Sequence, residues 1–316
     1  VNRWVMDPPL SRRHLGAFTA LCQCTKESWR CHLNVFANSA VGVPLGLGGQ
    51  AVLWKNLRDW RYAQDNLHDF EEALEVIHWF LFCAAILALC LFCSFYSLKA
   101  TYCWDVVREE FHHPLRCNFF AGPCIALCMF GLSKPMQEHE SVEDHQTMLR
   151  RLWYVAFAYQ QLLGLLVYHR WLHTSSTLDL AATPYLLSLV SWFLLAALGT
   201  PAEIDQHSGL PLRAMCFGVG TFFSLFTYPF VLLGIHPKRA PSPALFLIVA
   251  PPAVAGIALS GIAGEVNTAV EAIFGSVVFF LFLLLRNGPV ILARPPAQGV
   301  YWAYVFPTAA VATLSM

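Results

Sequence analysis

Nine stretches of this chain are apolar for close to the length of a bilayer-crossing helix, and that constrains its fold more than any other feature. Crossing about 30 Å of hydrocarbon takes roughly 20 apolar residues as helix. The runs lie near residues 36–54, 76–98, 117–133, 152–169, 181–199, 212–235, 243–262, 268–286 and 299–316. They are long and continuous, whereas barrel strands alternate over about 10 residues, so the expected spans are helices. Composition agrees, since only 13% of residues are charged and the mean hydropathy is +0.51. A soluble domain is nearer a quarter charged. The fold class is therefore all-α and integral to a membrane, which excludes a soluble doubly wound enzyme. Twenty Lys+Arg balance twenty Asp+Glu, so no net charge recommends nucleic acid as a partner.

The loops suggest an orientation. With the N-terminus on the cytoplasmic side, the inside segments hold Arg3, Arg12, Arg13, Lys26, Arg30, Lys99, Arg108, Arg116, Arg170, Lys238, Arg239, Arg286 and Arg294, which is 13 of the 20 basic residues. The positive-inside bias favours that arrangement. Residues 1–35 then form an N-terminal cytoplasmic segment and 36–316 a transmembrane pore domain. No cleavable signal peptide is expected, because Arg3, Arg12 and Arg13 are not followed by an uncharged apolar core. The plasma membrane is favoured over an organelle membrane.

The polar content of the spans limits the chemistry. Proline falls in or at the start of the odd-numbered runs: Pro44, Pro123, Pro184, Pro251 with Pro252, and Pro307. The second, fourth and eighth have none in their interiors. An interior proline frees backbone groups that must face protein or a water-filled cavity, so alternate helices are candidates for an inner, cavity-lining set. The first span carries Gly42, Gly46, Gly48 and Gly49, which allow close approach of a neighbouring helix or a substrate. No Lys or Arg, and no Asp or Glu except Glu271 near an end, sits deep in a span. Ion-coupled carriers usually place an ionisable group near the midplane. The available polar groups are Gln50, Gln160, Gln161, His78 and scattered hydroxyls. Such a neutral path can pass anions that it binds weakly.

Ligand chemistry has less support. His169 and His173 are four apart and His112 adjoins His113, but both pairs lie at expected membrane edges beside Arg. Interfacial anchoring explains them better than haem ligation, which would want a second pair on a partner helix. Cys22 and Cys24 form a C-x-C pair, and Cys83, Cys90, Cys93, Cys124, Cys128 and Cys216 lie in apolar runs where a thiol packs as a small hydrophobe. No cofactor and no metal is expected, and no enzymatic activity. A redox protein using the histidines and a structural subunit of a larger complex stay open at this level.

Several segments carry a resemblance. G-V-P-L-G-L-G-G-Q-A-V-L-W (Gly42 to Trp54) resembles the opening helix of the plant guard-cell slow anion channels, which group with bacterial tellurite-resistance and dicarboxylate transporters. V-V-R-E-E-F-H-H-P-L-R-C-N-F-F-A-G-P (Val106 to Pro123) is similar to that family's most characteristic stretch. Trp153 to Phe157, Ala250 to Ala253 and Tyr304 to Thr313 match further segments in order. The resemblance implies ten helices in a quasi-fivefold bundle of hairpins around a central pore, of which nine spans are visible here. It also implies odd helices lining the pore and a homotrimer in the lipid bilayer. The family closes its pore with a phenylalanine on the fifth helix, and Phe193 in S-L-V-S-W-F-L-L-A-A-L (Ser188 to Leu198) matches that position. Pro44, Pro123, Pro251 and Pro307 become pore-lining kinks, and His113 with Arg116 a basic cytoplasmic mouth. The implied activity is passive flow of small anions such as chloride or nitrate. Carriage of sulfite or a four-carbon dicarboxylate such as malate is the alternative from other branches of the family.

Overall fold

The computed structural model describes residues 36–62, 71–113, 116–136, 140–173, 185–233, 243–264, 268–286 and 302–316. The N-terminal segment 1–35, Pro114, Pro184, Cys22 and Cys24 lie outside the described residues. All regular structure among those described is helical. In chain order the α-helices are α1 (Gly42–Tyr62), α2 (Glu71–Tyr102), α3 (Trp104–His112), α4 (Gly122–Ser133), α5 (Val142–His173), α6 (Leu186–Leu198), α7 (Ile204–Ser208), α8 (Leu212–Leu233), α9 (Ala250–Ala263), α10 (Thr268–Arg286) and α11 (Trp302–Leu314). Short 3₁₀ turns, Asn38–Val41, Arg116–Ala121 and Pro243–Ile248, lead into α1, α4 and α9. Each of the nine apolar runs overlaps one α-helix, from the 12 residues of α4 to the 32 of α2 and α5. Lipid offers the backbone no hydrogen bonds, so each run must satisfy its own.

Burial sorts the helices into two layers. In α2, α8 and α10 only 17%, 22% and 11% of the most apolar window is buried, whereas for the segments containing α4 and α9 the figure is 61%. All thirteen residues of α6 are buried. The outer helices turn large apolar side chains outward, among them Phe80, Leu87, Leu225, Phe279 and Phe282. On a soluble protein that surface would aggregate, and here it is the face that meets acyl chains.

The inner helices close on themselves. Helix α1 packs on α4, α4 on α6, α6 on α9, α9 on α11, and α11 back on α1. Outside this ring of five, α2 covers α1, α5 covers α4 and α6, α8 covers α6, and α10 covers α9. Consecutive inner helices are separated by one returning outer helix, so all five run the same way. Their N-termini, each the positive end of a helix dipole, collect at one end of the bundle.

The prolines sit differently from the expectation of kinks inside helices. Pro44, Pro123 and Pro251 stand in the first turn of α1, α4 and α9, directly after a 3₁₀ turn. A first-turn proline loses no helical hydrogen bond and presets the backbone angle. These three therefore mark where a 3₁₀ lead-in becomes α-helix. Pro307 alone of the four is interior, in α11. The alternation is also incomplete, because Pro229 is interior to α8, an outer helix.

Close approach at the 3₁₀ junctions depends on glycine. A Cβ on Gly122 would lie 2.5 and 2.6 Å from the two methyls of Val41. Without a hydrophobic drive between helices in lipid, such close packing is a main source of cohesion. It holds the starts of α1 and α4 together at the end where the inner helices begin.

Candidate functional site

A cavity of about 170 Å³ lies on the axis of the ring. Every inner helix contributes to its wall: Gly49, Val52 and Asn56 from α1, Met129 and Leu132 from α4, Leu194 from α6, Val254 and Ile257 from α9, Ala310 and Thr313 from α11. The spacings of three and four residues are those of one helical face. Asn56 and Thr313 are its polar side chains, and the remaining wall is hydrocarbon or glycine. Met129 and Leu132, Leu194, and Ala310 and Thr313 lie in the C-terminal halves of α4, α6 and α11.

One turn nearer the N-termini, the same five faces present Leu45, Ile125, Val190, Ala250 and Phe306. All five are 0–1% exposed. Phe306 is the largest of them and the only aromatic one. Its ring lies against α1, with Cδ2 3.4 Å from where a Cβ on Gly49 would stand. A wholly apolar layer is a barrier to any ion, which there would lose its hydration with no side-chain donor to replace it.

Phe193, the residue expected at the gate, is buried, but its ring points to the neighbouring outer helix. The centroids of Phe193 and Phe217 are 5.5 Å apart, and a Cβ on Gly220 would meet the Phe193 ring at 2.9 Å. Both partners are on α8. Leu194, the next residue along α6, lines the axial cavity instead. Of the kink prolines, Pro44, Pro123, Pro251 and Pro307 are all on ring helices, and none of them lines the axial cavity.

Polar groups gather at the two ends of the bundle. At the C-terminal end, Lys55 Nζ donates to the Leu132 carbonyl at 2.9 Å and His78 Nε2 donates to the Ser133 carbonyl at 2.9 Å. These close the last carbonyls of α4, which have no intrahelical partner. Nearby, Arg213 Nε donates to Asp205 Oδ2 at 2.8 Å and its Nη1 to Thr200 Oγ1 at 3.2 Å. These bonds tie α8 and α7 to the end of α6.

At the other end, His113 and Arg116 are both exposed and close in space, the Arg116 amide donating to His113 Nδ1 at 3.4 Å. His113 precedes the 3₁₀ turn that leads into α4, and Arg116 is the first residue of that turn. Beside them is a group that the sequence did not reveal. Lys99, counted among the loop cations, is fully buried at the end of α2. Its Nζ donates to Glu110 Oε1 at 2.9 Å and to the Phe36 carbonyl at 2.6 Å, while Tyr96 Oη donates to Glu110 Oε2 at 2.8 Å. The network fastens α3 and the chain before α1 to α2. Helix α3 lies between the second and third apolar runs, with Trp104, Val107, Arg108 and Phe111 at helical spacing.

Ligand-type side chains do not converge. Among the described residues no three His, Cys, Asp or Glu side chains come together as a metal site. Cys124, Cys128 and Cys216 are buried thiols, and Cys83, Cys90 and Cys93 face outward on α2.

Comparison with known proteins decides the family. The profile described as voltage-dependent anion channel, SLAC1, matches residues 36–316. The chain belongs to the SLAC1 voltage-dependent anion channel family. Among its relatives in Arabidopsis thaliana, the S-type anion channel SLAH2 is 28% identical over 287 residues, covering 89% of this chain and 52% of the relative. The S-type anion channel SLAH3 is 28% identical over 288 residues, 87% of this chain and 42% of the relative. The guard cell S-type anion channel SLAC1 is 26% identical over 302 residues, 92% of this chain and 51% of the relative. The chain thus spans about half the length of the curated relatives it matches. As a member of this family, with apolar helices long enough to cross a bilayer, it is an integral, multi-pass membrane protein.

Proposed function

We propose that this chain forms a passive channel for small inorganic anions, chloride and nitrate foremost, with one conduction path along the axis of each five-helix ring. The observation that carries this reading is the axial cavity walled by all five inner helices. A path of this composition holds anions weakly, through the amide of Asn56 and the hydroxyl of Thr313, and weak holding favours throughput. The parallel helix N-termini and the exposed His113 and Arg116 give one mouth a positive potential that raises the local anion concentration. That mouth is cytoplasmic if the N-terminus is inside, as the loop charges favour. Assembly as a homotrimer and residence in the plasma membrane belong to the same reading, by resemblance to the relatives.

The gate in this proposal is Phe306 rather than Phe193. Supporting it are its helical phase, one turn below Ala310, and its position in an apolar layer with Leu45, Ile125, Val190 and Ala250. Pro307, beside it, frees one backbone hydrogen bond of α11, which gives the helix a point at which to bend when the ring moves. Anion current under voltage clamp, with chloride, nitrate and malate exchanged in turn, tests the function. Currents reversing near the anion equilibrium potential support the channel. Saturable uptake of sulfite or malate without current would replace it with a carrier.

A further inference from the structure

A second large space lies away from the ring. It is a groove of about 700 Å³ on the outside of the bundle, between α2, α3 and α5, at the end where the inner helices begin. Its floor and walls are apolar, with Leu162 on α5 typical of them. The two tyrosine hydroxyls in it are already committed, Tyr96 to Glu110 at 2.8 Å and Tyr159 to the Phe120 carbonyl at 2.7 Å.

Helix α3 forms one rim, and the way it distributes its charges is selective. Trp104, Arg108 and His112, spaced one turn apart, all line the groove, whereas the acids Asp105 and Glu109 on the same helix do not. Arg108 is exposed and makes no ion pair among the described residues. His112 Nδ1 donates to the Arg108 backbone carbonyl at 2.6 Å, which holds the imidazole against the turn that carries Arg108. The result is a hydrocarbon trough with an indole and an exposed guanidinium at its polar end. A guanidinium matches a phosphate with two parallel hydrogen bonds, and tryptophan favours the headgroup level.

We infer that this groove binds one anionic phospholipid, its acyl chain lying along α2 and α5 and its phosphate held by Arg108 at the rim of α3. Charge complementarity distinguishes the occupant from bulk lipid, because an anionic headgroup adds a net attraction to the phosphate contact with Arg108 that a zwitterionic one lacks. Binding at this place does not depend on conduction, so the inference stands or falls separately from the channel reading.

The test uses the purified full chain in bilayer nanodiscs, with phosphatidylserine and phosphatidylcholine competing for retention as read by native mass spectrometry. The wild type should retain phosphatidylserine preferentially, and Arg108→Gln should weaken that preference about fivefold, the worth of one basic side chain at an anionic surface. Arg108 is exposed, so its loss leaves folding intact. Leu162→Trp, which fills the trough without touching the charge, should lower retention of both lipids. A photo-crosslinking residue at position 162 should capture lipid. Equal retention of the two lipids by the wild type, an unchanged preference in Arg108→Gln, or capture of a second copy of this chain at position 162 would each overturn the assignment.

Discussion

Phe306 rests on the backbone of α1 at Gly49: a Cβ added there would be 3.4 Å from Phe306 Cδ2 and 3.7 Å from Phe306 Cα. Phe306 and the cavity wall therefore touch across the α1–α11 contact, with no side chain on Gly49 to give way. An alanine at position 49 fits at van der Waals distance. Gly49→Leu does not, and is expected to destabilise the fold by about 1–3 kcal/mol through overpacking. Thermal unfolding in detergent measures this, and a Gly49→Leu protein as stable as the wild type would refute the contact.

The junction of the first two 3₁₀ lead-ins makes a sharper test of packing. Gly122→Ala places a methyl within 2.6 Å of both Val41 methyls and should cost about 1–3 kcal/mol. Val41→Ala removes those methyls. In the double variant the two changes should compensate in large part, giving a coupling energy of about 1 kcal/mol or more in a double-mutant cycle. Additive losses would show that the two positions do not meet.

Lys99 and Glu110 form a buried ion pair at 2.9 Å. Removing one partner leaves the other charge buried and unmatched, which typically costs about 3–5 kcal/mol. Lys99→Met should thus lower the unfolding temperature strongly, and the Lys99→Met, Glu110→Gln double variant should recover much of the loss. If both variants melt alike, the pair is not closed in the folded protein.

The helical spans were legible in the sequence because lipid imposes them: a long continuous apolar run satisfies its own backbone as a helix, whereas barrel strands are shorter and alternate. Which side chain of a helix faces the axis was not legible in the same way. Helix α6 is buried on all sides, so Phe193, Leu194 and their neighbours carry no polar counterpart from which a helical phase could be read. Phe306 lay inside a quoted segment, Tyr304 to Thr313, and only its spacing from Ala310 in three dimensions singles it out. The prolines were visible, but whether each one begins a helix or interrupts it depends on boundaries that sequence locates only within several residues. Helix α3 is nine residues long, too short and too polar to stand out beside spans twice its length. Lys99 was assigned to a loop because its partner, Glu110, is eleven residues away in the sequence and is met only after the turn between α2 and α3.

Phe193 and Phe306 separate two accounts of the same pore. Phe193→Ala should behave as a core truncation, with a stability loss of about 3–5 kcal/mol from the cavity left beside Gly220 and Phe217. Its current per folded protein should stay near that of the wild type.

The most direct measurement is the anion current of Phe306→Ala beside the wild type, normalised to protein at the membrane. The account predicts a current at least several-fold larger in the variant, with the reversal potential still following the anion gradient. An unchanged or smaller current from Phe306→Ala, with a large increase from Phe193→Ala, would contradict it and return the gate to α6.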